Sequence, residues 1–125
     1  MESLPAGNVE FRVETRESRD DGGPSIRVQT TEDGKDVQLL RFDCFRIRPH
    51  YHYAPGGSNA GYDIDPTLVS DSLGWVISQL RTNLKDMVDR AGYPAVAEQL
   101  DQSAVSAALA RVEAHFLGPR VAATP

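Results

Sequence analysis

A single cysteine in 125 residues is the first absence that matters. Cys44 has no partner in its own chain, so the fold cannot rest on an internal disulfide. Long apolar runs are missing too. No stretch reaches the roughly 18 residues a membrane-spanning helix requires. The opening residues Met1–Gly7 show neither a basic start nor an apolar segment, so no signal peptide is read there. These absences together predict a cytoplasmic protein with no membrane contact. A basic excess is also lacking. Lys and Arg number 13 against 18 Asp and Glu, for a net charge of −5. That balance argues against a general nucleic-acid binder. No Gly-x-Ser-x-Gly elbow occurs, and the glycines of Gly56–Gly61 are not followed by the lysine of a phosphate-binding loop.

What is present is the composition of an ordinary globular domain, 40% hydrophobic and 25% charged. The length suits one domain with a real core. Residues 8–118 are expected to form it, with flexible ends at 1–7 and 119–125.

The first half carries strand patterns. Val9-Glu-Phe-Arg-Val13 alternates apolar and polar residues, as a half-buried strand does. The polar run Arg16–Pro24 reads as a loop, and Ile26 and Val28 resume the alternation. Glu32-Asp33-Gly34-Lys35 is a tight-turn signal that predicts a hairpin. The next strand is expected to run from Val37 to about Arg48. Its apolar parity switches between Leu39 and Leu40, which predicts burial on both faces or a bulge. Pro49 lacks a donor and should weaken pairing.

The second half carries helical patterns. Leu73, Val76, Ile77, Leu80, Leu84, Met87, Val88 and Ala91 form an apolar stripe. Ser70 or Asp71 can cap its start, and Gly92 suits its end. Pro94 can open a short helix through Leu100. Ser103 can cap a third helix with Val105, Leu109, Val112 and Phe116 inward. Strands first and helices later predict an α+β fold. An antiparallel sheet of about four to five strands would be covered by two to three helices.

The segment Cys44–Asp65 holds the densest chemistry. His50-Tyr51-His52-Tyr53 is followed by Ala54–Gly61 and then Tyr62-Asp63-Ile64-Asp65. It begins in residues 37–53, the one net-positive stretch, where Arg41, Arg46 and Arg48 face only Asp43. A hairpin pairing Tyr53 with Tyr62 would set His52 opposite Asp63 and His50 opposite Asp65. One face would then carry His50, His52, Asp63 and Asp65, the other Tyr51, Tyr53, Tyr62 and Ile64. Two imidazoles and two carboxylates at cross-strand spacing suit a transition metal such as Zn, Fe or Mn. Arg46 and Arg48 share the parity of the histidines and could orient an anion. Tyr51 and Tyr53 would line the same ligand region. Cys44 reads as a buried structural thiol and His115 as a residue at a helix boundary. Trp75 lies off the helical stripe, a position that fits contact with a partner.

Two functional expectations result. The first is a binding or accessory protein that forms a homo-oligomer or docks on a larger protein partner through the hairpin. The second is a small metal-dependent enzyme or metal-binding protein using His50, His52 and Asp63 or Asp65.

Overall fold

Each strand of the sheet pairs with the next one in the chain. The order β1 (Glu2–Ala6), β2 (Val9–Ser18), β3 (Asp21–Glu32), β4 (Lys35–Asp43), β5 (His50–Tyr53), β6 (Ala60–Asp63) is also the order across the sheet, antiparallel throughout. Helices α1 (Ser72–Arg90), α2 (Pro94–Glu98) and α3 (Gln102–Leu117) follow. The computed structural model describes residues 1–118, so the expected flexible segment 119–125 lies outside the described residues. The α+β expectation holds, with one strand more than foreseen.

That strand is β1, where a flexible end was expected. Leu4 and Ala6 are buried, and Leu4 sits opposite Phe11. Pro5 between them hides the alternation from a sequence reading, and an edge strand tolerates it. The polar run 16–24 is a hairpin rather than a loop: Arg16 pairs with Gly23, Glu17 with Gly22 and Ser18 with Asp21. Polarity there reflects an exposed hairpin tip, where pairing satisfies the backbone without an apolar face.

Period-two patterning sets the faces. Val9, Phe11, Val13, Ile26, Val28, Leu40 and Phe42 are buried toward the helices. Glu10, Arg12, Glu14, Arg27 and Arg41 point the other way, onto a face no helix covers. Arg12, Arg27, Arg41 and His52 stand directly across from one another on four strands. Like charges in such a row repel, but each arginine has an acid in reach. Arg12 meets Glu10 at 3.0 Å, Arg27 meets Glu14 at 3.3 Å and Arg41 meets Asp43 at 3.1 Å.

The expected hairpin at Glu32–Lys35 is present. Asp33 and Gly34 both have positive φ, 51° and 77°, as the turn that matches strand twist requires. The parity switch is a register shift opposite Val28 and Gln29, and it buries both Leu39 and Leu40. β4 ends at Asp43 instead of running to Arg48. Residues 44–48 run on beside the start of β3, where the Cys44 amide donates to Pro24 O at 2.7 Å and the Arg46 amide to Gly22 O at 3.0 Å, before the chain reverses to set His50 opposite Asp43.

Asp21 anchors this crossing. Its buried carboxylate accepts from the amides of Gly22, Ile47 and Arg48 at 2.8, 2.9 and 2.8 Å. Burial alone would raise its pKa. Those three donors and the Arg48 charge outweigh burial and hold it below the ordinary 3.8. A carboxylate depressed in the native state adds stability that is complete above its unfolded pKa and lost as pH falls through the native one. Asp21→Asn should therefore lower the urea midpoint at pH 7. The gap from the natural protein should narrow below pH 3.8. A gap that stays constant to low pH would remove the charge from this account.

Asp71 caps α1, accepting the Gly74 amide at 2.9 Å. Val76, Ile77, Leu80, Leu84, Met87 and Val88 are buried, each worth roughly 1.5–3 kcal/mol relative to exposure. The cap of α3 is Asp101, not Ser103: its side chain accepts the Ala104 amide at 3.1 Å. α3 packs across β1 and β2, and α1 across β4 and β5. One layer of helices thus closes one face of the sheet.

Candidate functional site

The hairpin β5–β6 forms where the sequence places it, with its register moved by two residues. His50 stands opposite Asp63, Tyr51 opposite Tyr62, His52 opposite Gly61 and Tyr53 opposite Ala60. Ala60 and Gly61 join the strand, and the connection shrinks to 54–59. The Gly57 and Asn59 amides close it by donating to Ala54 O. Strand side chains alternate with period two, so a shift of two keeps every residue on its expected face. The tyrosines face the helices and the histidines face the open side.

The consequence falls on the four expected ligands. His50, His52 and Asp63 share the polar face, but Asp65 lies beyond the strand and accepts the Thr67 amide at 2.9 Å. His50 uses both ring nitrogens: Nδ1 meets the Arg48 carbonyl at 2.8 Å and Nε2 meets Asp43 Oδ2 at 3.2 Å. Both neighbours are acceptors, so the ring is occupied on either side by protein groups. Among the described residues, no three His, Cys, Asp or Glu side chains stand together as a metal would require.

Arg46 and Arg48 do not extend this face. They ride on the 44–49 crossing, exposed, with Glu17 at 3.8 Å and Asp20 at 3.4 Å. Their parity with the histidines assumed a strand that β4 does not form. Instead Asp43 gathers the charges. Its carboxylate is 1% exposed and takes Ser25 Oγ at 2.8 Å, Arg16 at 3.3 Å, Arg41 at 3.1 Å and His50 at 3.2 Å. Ser25, Asp43 and His50 resemble a catalytic set only in composition. The carboxylate lies between the hydroxyl and the imidazole, whereas a nucleophile needs the imidazole beside it.

Cys44 is buried, and that burial pushes its thiol up to about 12. Asp43 and Asp71 act in the same direction, and the hydrogen bond with Ser72 opposes them. Such a thiol is inert as a nucleophile. His115 pairs with Glu2 at 2.8 Å at the β1 edge, across the sheet from the hairpin.

The aromatic side of the hairpin is different. Tyr51 stacks on Phe42 and on Tyr62, with centroids 5.6 and 5.5 Å apart, and Trp75 tilts against it at 6.1 Å. Tyr53 meets Tyr62 edge-on at 5.6 Å. Arg90 reaches over the rings of Tyr53 and Tyr62 at 5.3 and 5.6 Å and donates to the Tyr62 hydroxyl at 3.3 Å. Burial raises the pKa of both Tyr51 and Tyr53, against the pull of Arg90. Between hairpin and α1 runs an open groove of about 250 Å³, with Tyr51, Tyr53 and Trp75 as its wall and Gln79, Asn83, Asp86 and Arg90 along its helical side. The structure therefore unites the expected ligand tyrosines with the expected contact residue Trp75.

The sequence reading overlooked the helical side. Its signal is present: Trp75, Gln79, Asn83, Asp86 and Arg90 recur at steps of three or four, a second stripe beside the apolar one. A larger cavity of about 520 Å³ lies at the opposite end of the sheet, around Asn8, Gln29, Thr30 and Gln99. Asn8 lends its amide to Val96 O there, and its Oδ1 is buried without a partner.

A two-layer α+β domain with an aromatic groove between its terminal hairpin and its longest helix is the class these observations define. The chain belongs to the family described as Domain of unknown function (DUF7700), whose model matches residues 3–116. No curated protein and no solved structure matches it. No helix among the described residues is long and apolar enough to cross a membrane.

Proposed function

We propose that this domain is a binding or accessory module whose recognition surface is the groove between β5–β6 and α1. The observation that carries this reading is the meeting of Tyr51, Tyr53, Tyr62, Trp75 and Arg90 at one open site. Aromatic residues and arginine supply most of the binding energy at protein interfaces. The groove would take one or two apolar side chains of a protein partner against the rings. Gln79 and Asn83, joined at 2.7 Å, offer amide groups to the partner's backbone. Trp75 and Tyr51 would then be the costly residues to truncate.

Selection of displayed random peptides on the immobilised domain tests this directly. Trp75 is the single tryptophan, so its fluorescence reports groove occupancy. Enriched peptides should shift that emission and lose roughly 10–100-fold in affinity to Tyr51→Ala. The reading fails if nothing is enriched, or if enriched peptides bind Tyr51→Ala and Asn83→Ala as tightly as the natural chain.

A further inference from the structure

The two edges of the sheet are unequal. β1 contains Pro5, which has no amide to offer, and α3 packs against that strand. β6 ends the other side with all four residues exposed. Neither proline nor lysine guards it, and its one charge, Asp63, has a histidine to meet in the pairing described below.

The register shows which backbone groups remain for a partner. The Ile64 amide donates to Pro49 O at 2.9 Å, so residues 49 and 64 are a hydrogen-bonded pair. Such pairs alternate along an antiparallel ladder. Tyr62 and Ala60 therefore bond to β5. Gly61 and Asp63 turn their N–H and C=O groups outward. The bond from the Ala54 amide to Leu39 O fixes the same alternation from the other side of β5.

We infer that β6 pairs with β6 of a second copy, antiparallel, about a two-fold axis at Tyr62. This register sets Gly61 of each chain against Asp63 of the other, and both residues of the pair have outward groups. Four backbone hydrogen bonds close the joint. On the aromatic face the two Tyr62 side chains, each 40% exposed in the single chain, meet as a close, non-hydrogen-bonded pair. On the polar face Asp63 looks across Gly61 of the second copy. The His52 ring of that copy lies over this glycine, with Cε1 3.0 Å from where a Cβ would stand. Two Asp63–His52 contacts result, one on each side of the axis. The surface is thus complementary to itself in backbone, aromatic and charged groups. The joint shares Tyr62 with the aromatic cluster but leaves the groove lining of Tyr51, Tyr53, Trp75 and Arg90 free, so the two readings are tested separately.

The test is sedimentation equilibrium combined with a cross-link. A short joint belongs with weak interfaces, so the natural chain should pass from monomer toward dimer between about 10 and 500 µM. Asp63→Pro removes an outward donor that its own sheet does not use. It should remain monomeric throughout, with an unchanged far-UV spectrum. Asp63→Lys should raise the dissociation constant about tenfold, by loss of two cross-strand pairs. Cα atoms in a non-hydrogen-bonded pair lie within disulfide reach. Tyr62→Cys should therefore oxidise to a covalent dimer far faster than Leu68→Cys, which is more exposed at 81%. A natural chain that is monomeric at the highest concentration overturns the inference. So does a dimer that Asp63→Pro or Asp63→Lys leaves equally tight, or equal oxidation of the two cysteine variants.

Discussion

Replacing Asp43 by alanine should lower the unfolding free energy by about 3 kcal/mol. The carboxylate is almost fully buried and receives four side chains: Ser25, Arg16, Arg41 and His50. Removing it leaves the Ser25 hydroxyl without its acceptor in the interior. Three cationic or cation-forming groups then converge on a gap. Buried ion pairs broken from one side cost about 3–5 kcal/mol. The lower end applies because the arginines and His50 remain a quarter to a third exposed and water can screen them. Asp43→Asn keeps the volume but turns an amide toward donors, and should fall between. Ser25→Ala should cost only about 1 kcal/mol. Urea unfolding of the three variants checks the order. If Asp43→Ala loses no more than Ser25→Ala, the carboxylate is not the centre of this face.

Gly23→Ala should be at least as damaging, at about 3–4 kcal/mol. Two independent causes act at this residue. Its φ of +152° is a conformation that side chains with a Cβ rarely adopt. A Cβ would also run into the carbonyl oxygen of Cys44, a backbone atom that cannot rotate away. That oxygen is held by the crossing itself, through the Cys44 and Arg46 amides bonded to Pro24 and Gly22. Gly34→Ala separates the causes. Gly34 has φ +77° and open space around its missing Cβ, so it should show backbone strain alone, about 1 kcal/mol. Comparing the two urea midpoints measures the clash. Equal losses would mean that the crossing moves aside and does not fix Gly23.

Sequence periodicity carried the parts of this fold where one face is buried. The α1 stripe, the alternation of Val9–Val13 and the Asp33-Gly34 turn were legible because each encodes a local physical demand. β1 was not, because Pro5 breaks the pattern of a strand whose burial comes from α3, far along the chain. The hairpin 16–24 was not, because its residues carry no apolar alternation, and Asp21, Gly22 and Gly23 are buried only by a crossing that the fold creates. The same holds for the site. Tyr51, Tyr53 and Trp75 announced themselves by type and parity, but Arg90 reaches them only once α1 lies over β5. The two-residue shift of the hairpin could not be read from residues 54–61, where either loop length satisfies the turn. Arg46 and Arg48 were misplaced for a related reason: a chain reversal at Cys44–Pro49 is fixed by Asp21, a distant residue.

The nearest-neighbour order of the six strands bears on how the chain acquires its shape. Every strand meets its partner as soon as the next segment exists, so the sheet can zip from β1 onward while synthesis continues. No strand waits for a distant one, and such local topologies fold faster than sheets built from long crossovers. The contact between His115 and Glu2, 113 residues apart, is of the opposite kind. It joins the ends of the described chain and cannot form until α3 has been made. The apolar underside of β1 and β2 stays open until then, and α3 is the segment whose arrival closes it.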